Sequence, residues 1–215
     1  MSRSTLPLLS TILGLALMPG QPIASNLTLE LSAESGDISE TLVSLQPVDA
    51  DTEVQGEDLA KMDQIDRQFS PRAIAIKPGS HVRFLNNDDV RHHVYSFSAA
   101  KRFELPLFKG DPPEDIHFEK TGEVVLGCNI HDWMVGWVHV METPYFGFAD
   151  NEGQITLEVP PGEYELVIWH PDATSDSRRV EETIRITEDG VTLERDLELT
   201  PAADDQIDRR RRRRF

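Results

Sequence analysis

The chain has 215 residues, of which 39% are hydrophobic and 27% are charged, and its formal net charge at pH 7 is −17. This length suits one or two compact domains. A surface this acidic argues against nucleic acid as a partner and favours a partner that carries a basic patch.

The N-terminus has the layout of a secretory signal. An apolar run at residues 6–18 follows the basic Arg3, and small residues follow around positions 20–25. The run is short for a membrane span, and no later segment is long and apolar enough to cross a bilayer. We therefore expect residues 1–25 to be a signal peptide and the mature protein to be periplasmic or otherwise exported, without a transmembrane segment. The alternative is an N-terminal helix that stays on the mature protein.

Short alternating apolar segments, separated by Gly, Pro, Asn and Asp, follow along most of the chain and are typical of an all-β protein. The predicted strands are 26–33, 41–46, 73–76, 81–85, 93–97, 123–126, 137–141, 155–159, 164–169, 184–186 and 193–199. Lys77-Pro78-Gly79 predicts a hairpin-like turn between the strands beside it. Residues 99–120 are too long for a turn, so we expect an ordered excursion there.

Cys128 is the only cysteine, so it cannot form an internal disulfide. A free thiol in an oxidising compartment is expected to be buried or metal-bound. Cys128, His131 and Met134 place a thiolate, an imidazole and a thioether on one loop, and His92 or His93 could supply a second imidazole. One thiolate and two imidazoles with a weak axial thioether form the blue-copper ligand set. Zinc is disfavoured because its sites prefer more Cys or His ligands and rarely use Met.

This pattern resembles the cupredoxin family of plastocyanin, pseudoazurin and amicyanin, over residues 69–141 approximately. In that family an Asn stands about six residues before the first histidine ligand, as Asn86 stands before His92. The Cys-x-x-His loop followed by Met, with a short gap as in amicyanin, is similar to Cys128, His131 and Met134. The resemblance implies one copper ion, cycling between Cu(I) and Cu(II), bound by His92, Cys128, His131 and Met134. It also implies that the Asn86 side chain ties the two ligand loops together.

Three further segments resemble exported bacterial proteins labelled methylamine-utilisation or plastocyanin-like: 62–64, 103–107 and 143–146. Several residues near the predicted copper site have a second interpretation. Met134 could be ordinary core packing. Trp133, Trp137 and Phe97 could shield the site or belong to the core. The other histidines, at positions 81, 117, 139 and 170, are expected to be structural or exposed, and Asp63, Glu104 and Lys109 have no mechanism in the sequence.

The C-terminal part resembles carboxypeptidase-regulatory or Cna-B-like modules, which are small Ig-like β-sandwiches, but its first strands are missing. Residues 27–48 could supply them. We therefore predict a cupredoxin Greek-key β-sandwich at 49–143 plus a small Ig-like β-sandwich at 144–200, to which the N-terminal strands at 26–48 belong. Residues 201–215, with six consecutive arginines at 209–214, are expected to be a disordered tail or, alternatively, a tether to anionic lipid or to an acidic protein.

These expectations together favour an exported type 1 (blue) copper protein that carries single electrons and is not an enzyme. His131 would be the exposed ligand through which electrons pass, by family resemblance, and a redox protein with a basic docking patch would be the partner. The alternative is a periplasmic copper-binding or copper-delivery protein without redox cycling. An enzyme subunit or redox sensor that uses Cys128 is a third possibility, but an enzyme needs an open coordination position or a second copper cluster, and the sequence offers neither.

Overall fold

The computed structural model describes residues 25–173 and 179–200, and every regular element within those two ranges is a β-strand. The prediction of an all-β chain is therefore confirmed. The strands are β1 Ser25–Ala33, β2 Leu42–Pro47, β3 Leu59–Ile65, β4 Gln68–Ser70, β5 Ala73–Ile76, β6 His81–Phe84, β7 His92–Phe97, β8 Arg102–Phe108, β9 Ile116–His117, β10 Gly122–Cys128, β11 His131–Val140, β12 Tyr145–Phe148, β13 Gln154–Val159, β14 Gly162–Trp169, β15 Arg179–Ile186 and β16 Val191–Leu197.

Two sequence predictions concern the chain ends. Of the predicted signal peptide at 1–25, only Ser25 lies within the described residues, where it starts β1 and pairs with Val159. The arginine-rich segment at 201–215 lies outside them. The described part of the chain contains no helix with the length and hydropathy that a membrane crossing requires.

Strands β3 to β11 form two sheets around one core, which we call the central sandwich. Its five-stranded sheet has the order β5-β11-β10-β7-β8, and its four-stranded sheet has the order β4-β3-β6-β9. Alternate residues of β10, namely Val124, Leu126 and Cys128, are buried, because successive side chains of a strand point to opposite faces. This alternation places the Cys128 thiol on the core side, at the end of its strand.

The turn at residues 77–79 joins the two sheets of the central sandwich. Strand β5 pairs in parallel with β11, whereas β6 pairs in parallel with β3 in the other sheet. The prediction of a hairpin-like turn is therefore wrong, because β5 and β6 belong to different sheets and do not pair with each other. Pro and Gly specify a chain reversal, and Gly79 has a φ of 90° here, but a reversal does not dictate that the flanking strands pair with each other.

The predicted excursion at 99–120 contains an edge strand of each sheet, β8 and β9. Strands β3, β4 and β12 also have no counterpart among the predicted strands. In β3 the polar residues Lys61, Asp63 and Gln64 interrupt the apolar alternation, so the period that marks a half-buried strand is weak there.

The other seven strands surround a second core, and we call this part the terminal sandwich. Strand β1 pairs antiparallel with β13 and parallel with β16, while β2 lies between β12 and β14. Side chains of β1 and β2, including Leu27, Leu29 and Leu45, are packed in the same core as Leu157 and Leu166. The predicted domain boundaries and the Ig-like class of this module stay predictions.

A third, smaller cluster lies where the two sandwiches meet. Leu42 and Trp169 of the terminal sandwich pack there with Ala73 and Trp137 of the central sandwich. Beside them the guanidinium of Arg72 donates to the carboxylates of Glu40 and Asp172. The cluster and the ion pairs join the two cores.

Candidate metal centre

Three metal-binding side chains converge at one end of the central sandwich. His92 begins β7, Cys128 ends β10 and His131 begins β11. The Nδ1 atoms of the two histidines lie 3.2 Å apart, and the Cys128 Sγ lies 3.7 Å from that of His92 and 4.0 Å from that of His131. The donor atoms all lie within 4.8 Å of one another, so one metal ion could contact all three.

A tight turn brings Cys128 and His131 together. They pair across the antiparallel β10 and β11, separated by Asn129 and Ile130, while Gly127 pairs with Val135. The register shifts between these two pairs, so β11 contains extra residues, among them Met134, within an irregularity of the ladder. Such bulges reorient side chains that strict alternation would direct elsewhere.

The candidate ligands differ in how far they are buried. His92 is 0% exposed, Cys128 and Met134 are buried, and His131 is half-buried. Met134 packs in the same core cluster as Cys128. Burial lowers the pKa of His131, and the nearby His92 and Arg67 lower it further. A lowered pKa favours the neutral imidazole, which is the form that binds metals.

Asp88 contacts the ring nitrogen of His92 that faces away from Cys128. His92 Nε2 lies 2.8 Å from Asp88 Oδ2, and both side chains are buried. Burial raises the pKa of Asp88, but hydrogen bonds from His92, Arg67 and Asp89 outweigh it and hold that pKa below its usual range. The carboxylate therefore stays ionised beside the ligand ring.

The Asn86 side chain makes other contacts than the family resemblance implies. Its Nδ2 donates to the carbonyl oxygens of Val90 and Phe108, and its Oδ1 accepts from the Asp88 backbone N–H. Its backbone also pairs with Gly110. Within the described residues these bonds tie the 86–92 loop to the end of β8, so the expectation that Asn86 ties together the two ligand loops is not met.

Several polar residues without a mechanism in the sequence support the segment that carries His92. Asp63 accepts hydrogen bonds from the backbone and side chain of Asn87, and Lys109 donates to the Asp89 carbonyl. Glu104 accepts a 2.8 Å hydrogen bond from His93 Nε2. His93 thus lies against β8, while the neighbouring His92 lies with Cys128 and His131.

The aromatic residues near the site differ in their placement. Trp133 packs on His131 with ring centroids 5.1 Å apart, and its side chain is 68% exposed. Phe97 is exposed and contacts Tyr95, and Trp137 is buried against Trp169 at the junction of the sandwiches. Of the three aromatics considered in the sequence, Trp133 is the one in ring contact with a histidine of the site.

The donor set fits copper. A thiolate is a soft ligand and imidazoles are borderline, and this mixture suits an ion that exists as both Cu(I) and Cu(II). The half-buried His131 gives the site an edge at the surface, and the two buried donors keep the rest of it away from water. Such a site can hold one metal ion.

Solved structures that are similar to part of this chain include a purple cupredoxin, an amicyanin and a copper-containing nitrite reductase. A purple cupredoxin from Nitrosopumilus maritimus has 27% identity and a TM-score of 0.35, over 38% of this chain and 99% of that protein. The reduced, Cu(I) form of an amicyanin mutant has 21% identity and a TM-score of 0.35, over 46% of this chain and 98% of that one. A copper-containing nitrite reductase from Thermus scotoductus has 23% identity and a TM-score of 0.38, over 53% of this chain and 28% of its own.

No family model matches the chain, and no curated protein matches it.

Proposed function

We propose that this protein is an exported type 1 copper protein that carries single electrons, with His92, Cys128, His131 and Met134 as ligands of one copper ion. The observation that carries the proposal is the convergence of two imidazole nitrogens and one thiol within 4.8 Å. The buried Met134 is proposed as the weak axial donor, because it lies in the core cluster that contains Cys128.

Each proposed ligand has its own role in electron transfer. Bound copper would supply a one-electron Cu(I)/Cu(II) couple. His92 and Cys128 would hold the ion from the buried side and exclude water, and the half-exposed His131 would connect it to the surface. The strand ends and the hydrogen bonds around Asp88 keep the donors in fixed positions. A fixed ligand set reorganises little when its charge changes, which favours fast electron exchange.

The partner is proposed to be a redox protein with a basic docking patch. Next to His131 the chain exposes the apolar side chains of Ile130, Trp133 and Val135. Asp132 lies among them, and the whole chain has a net charge of −17. An apolar contact with an acidic surround suits a partner with basic residues around its own contact patch.

The location is proposed to be the periplasm or another exported compartment. The signal-like segment at 6–18 supports it. Cys128 is free and buried among the described residues. Metal binding would protect such a thiol from oxidation.

The visible spectrum of the Cu(II)-loaded protein tests the proposal. We expect one copper per chain and an intense thiolate-to-copper charge-transfer band. Cys128→Ser should abolish the band, because a hydroxyl cannot replace the soft anionic donor. Ser96→Ala, at another buried polar position of the same sheet, should keep it. A colourless Cu(II) complex of the unchanged protein would reject the proposal.

Measuring redox cycling distinguishes an electron carrier from the alternative function, a copper-delivery protein. A carrier should show a reversible one-electron wave and keep its copper in both states. A delivery protein should bind Cu(I), release it to a competing chelator on oxidation, and show no reversible wave. A reaction with a small substrate such as nitrite would favour the enzyme alternative instead.

A further inference from the structure

The two ring nitrogens of His92 have different partners. Nδ1 faces Cys128 and His131, and Nε2 lies 2.8 Å from Asp88 Oδ2. A carboxylate can only accept, so Nε2 carries the proton and donates it. The tautomer that this contact selects leaves the Nδ1 lone pair free toward the other two donors.

Asp88 is itself held rigidly. Its Oδ2 accepts a 2.6 Å hydrogen bond from the Arg67 backbone N–H, and its Oδ1 accepts a 2.7 Å bond from that of Asp89. Its own backbone N–H donates to Asn86 Oδ1. Together with the bond from His92, these contacts fix the carboxylate in one orientation and favour its ionised form.

The tip of the β3–β4 hairpin provides one of these contacts. Ile65 pairs with Gln68, so Asp66 and Arg67 form a two-residue loop, and both have positive φ, 51° and 58°. A type I′ turn, which suits a two-residue hairpin, requires positive φ at both of these positions. The turn directs the Arg67 N–H at Asp88, while the Arg67 side chain is exposed and its charge is screened by water.

We propose that Asp88 is a positioning residue that holds His92 by Nε2 and that its buried negative charge favours the oxidised state of the bound ion. This inference rests on the proposed copper function. An anion beside a ligand ring raises the basicity of that ligand, and it stabilises the more highly charged ion more strongly. The nearness of a buried carboxylate therefore lowers the reduction potential.

Asp88→Asn tests the charge, because it preserves the shape and an acceptor oxygen. We expect the ratio of the Cu(II) to the Cu(I) dissociation constant to rise about tenfold, which raises a one-electron potential by about 59 mV. The matched control is Asp89→Asn, which removes the same charge from an exposed neighbour. Equal potentials in the two variants would overturn the charge effect.

Nitrogen-15 NMR of the metal-free protein tests the positioning without any copper. His92 should be protonated at Nε2 in the unchanged protein, and Asp88→Ala should mix the two tautomers. A mixed tautomer in the unchanged protein, or an unaltered one in Asp88→Ala, would overturn the positioning role. If Asp88→Asn does not fold, the unchanged protein still tests the positioning role. A single tautomer with slow hydrogen exchange at His92 Nε2–H would support that role, and a mixed tautomer with fast exchange would overturn it. Failure of the unchanged protein to bind copper would contradict the proposed function. The NMR result would still show whether Asp88 positions His92.

Discussion

The imidazole of His139 stands edge-on against the indole of Trp169, with ring centroids 4.3 Å apart. His139 belongs to β11 of the central sandwich and Trp169 to β14 of the terminal sandwich. Burial lowers the pKa of His139 to about 4, and the positive charge of Arg179 acts in the same direction. The junction of the two sandwiches therefore contains a histidine that stays neutral at neutral pH.

Because of His139, the free energy of unfolding should decrease as the pH decreases. The unfolded protein binds the proton with a pKa of about 6.5 and the folded protein with a pKa of about 4. The contribution of the neutral ring is thus complete above about pH 6.5 and is lost as the pH falls toward 4, at about 1.4 kcal/mol for each pH unit. We expect His139→Phe to remove this dependence, giving a difference of up to about 3 kcal/mol between pH 7 and pH 4.

Urea denaturation followed by tryptophan fluorescence, at a series of pH values, measures the effect. Carboxylates also titrate at low pH, so the measured quantity is the difference between the unchanged protein and the variant. His81→Gln, at an exposed histidine, is the control and should follow the unchanged protein. A His139→Phe curve parallel to that of the unchanged protein would contradict the prediction.

Met134 should set the reduction potential without being needed for binding. Met134→Gln should keep copper but lower the potential, because an oxygen donor favours Cu(II). Met134→Leu should raise it, because the axial donor is removed and an apolar group remains. Cyclic voltammetry measures both changes. Met62→Leu, at another buried methionine of the same core, is the control, and unchanged potentials in both Met134 variants would assign Met134 to packing.

Arg72 should stabilise the contact between the sandwiches. Its guanidinium donates to Asp172 at 2.6 and 2.9 Å and also to Glu40, with 25% of the side chain exposed. We expect Arg72→Met to lower the free energy of unfolding by about 1–2 kcal/mol, less than for a fully buried pair because water screens part of it. Thermal unfolding at low salt measures the loss, which should shrink at high salt.

The matched control for Arg72 is Arg83→Met. Arg83 forms a similar bidentate pair with Asp115, but 40% of its side chain is exposed and the pair does not bridge the sandwiches. Its loss should lower the free energy of unfolding less than the loss of Arg72 does, because water screens an exposed ion pair. Equal losses from the two substitutions would show that Arg72 has no special role at the junction.

We propose that residues 26–48 and 144–200 form one folded module, with the copper-binding part inserted between them. Strands β1 and β2 each lie between two strands of the C-terminal part. Removing residues 26–48 should therefore expose the C-terminal strands to proteolysis and leave copper binding largely intact. Limited proteolysis and the charge-transfer band measure the two effects. Loss of copper binding with a protease-resistant C-terminal part would show that the first strands belong to the central sandwich.

The candidate site divides into a part that the sequence predicts and a part that it does not. Cys128 and His131 are three positions apart, so one tight turn determines their distance, and the spacing alone predicts their approach. His92 was predicted from its distance to Asn86, although Asn86 makes other contacts than expected. Local spacing is informative where one loop carries both partners.

The support around His92 could not be predicted in the same way. Asp88 lies in a run of Asn and Asp residues that is typical of any turn, and the Arg67 N–H that it accepts comes from a hairpin tip 21 positions earlier. The β3 sequence does not alternate clearly, so that hairpin had no counterpart in the prediction. Strand pairing depends on the packing of whole sheets, which is why the β5 and β6 partners were also missed.

The route of the chain through the terminal sandwich has a consequence for how the protein assembles during synthesis. The Thr143 hydroxyl donates to the carbonyl of Leu45, 98 positions earlier, so β2 is made long before its neighbour β12. Closing a long flexible loop carries an entropic cost that grows with its length. At the base of the central sandwich, however, the Thr52 hydroxyl donates to the carbonyl of Glu142, which brings the two ends of the intervening chain together. A central sandwich that folds first would shorten this loop to a few residues, so metal capture can precede completion of the outer module.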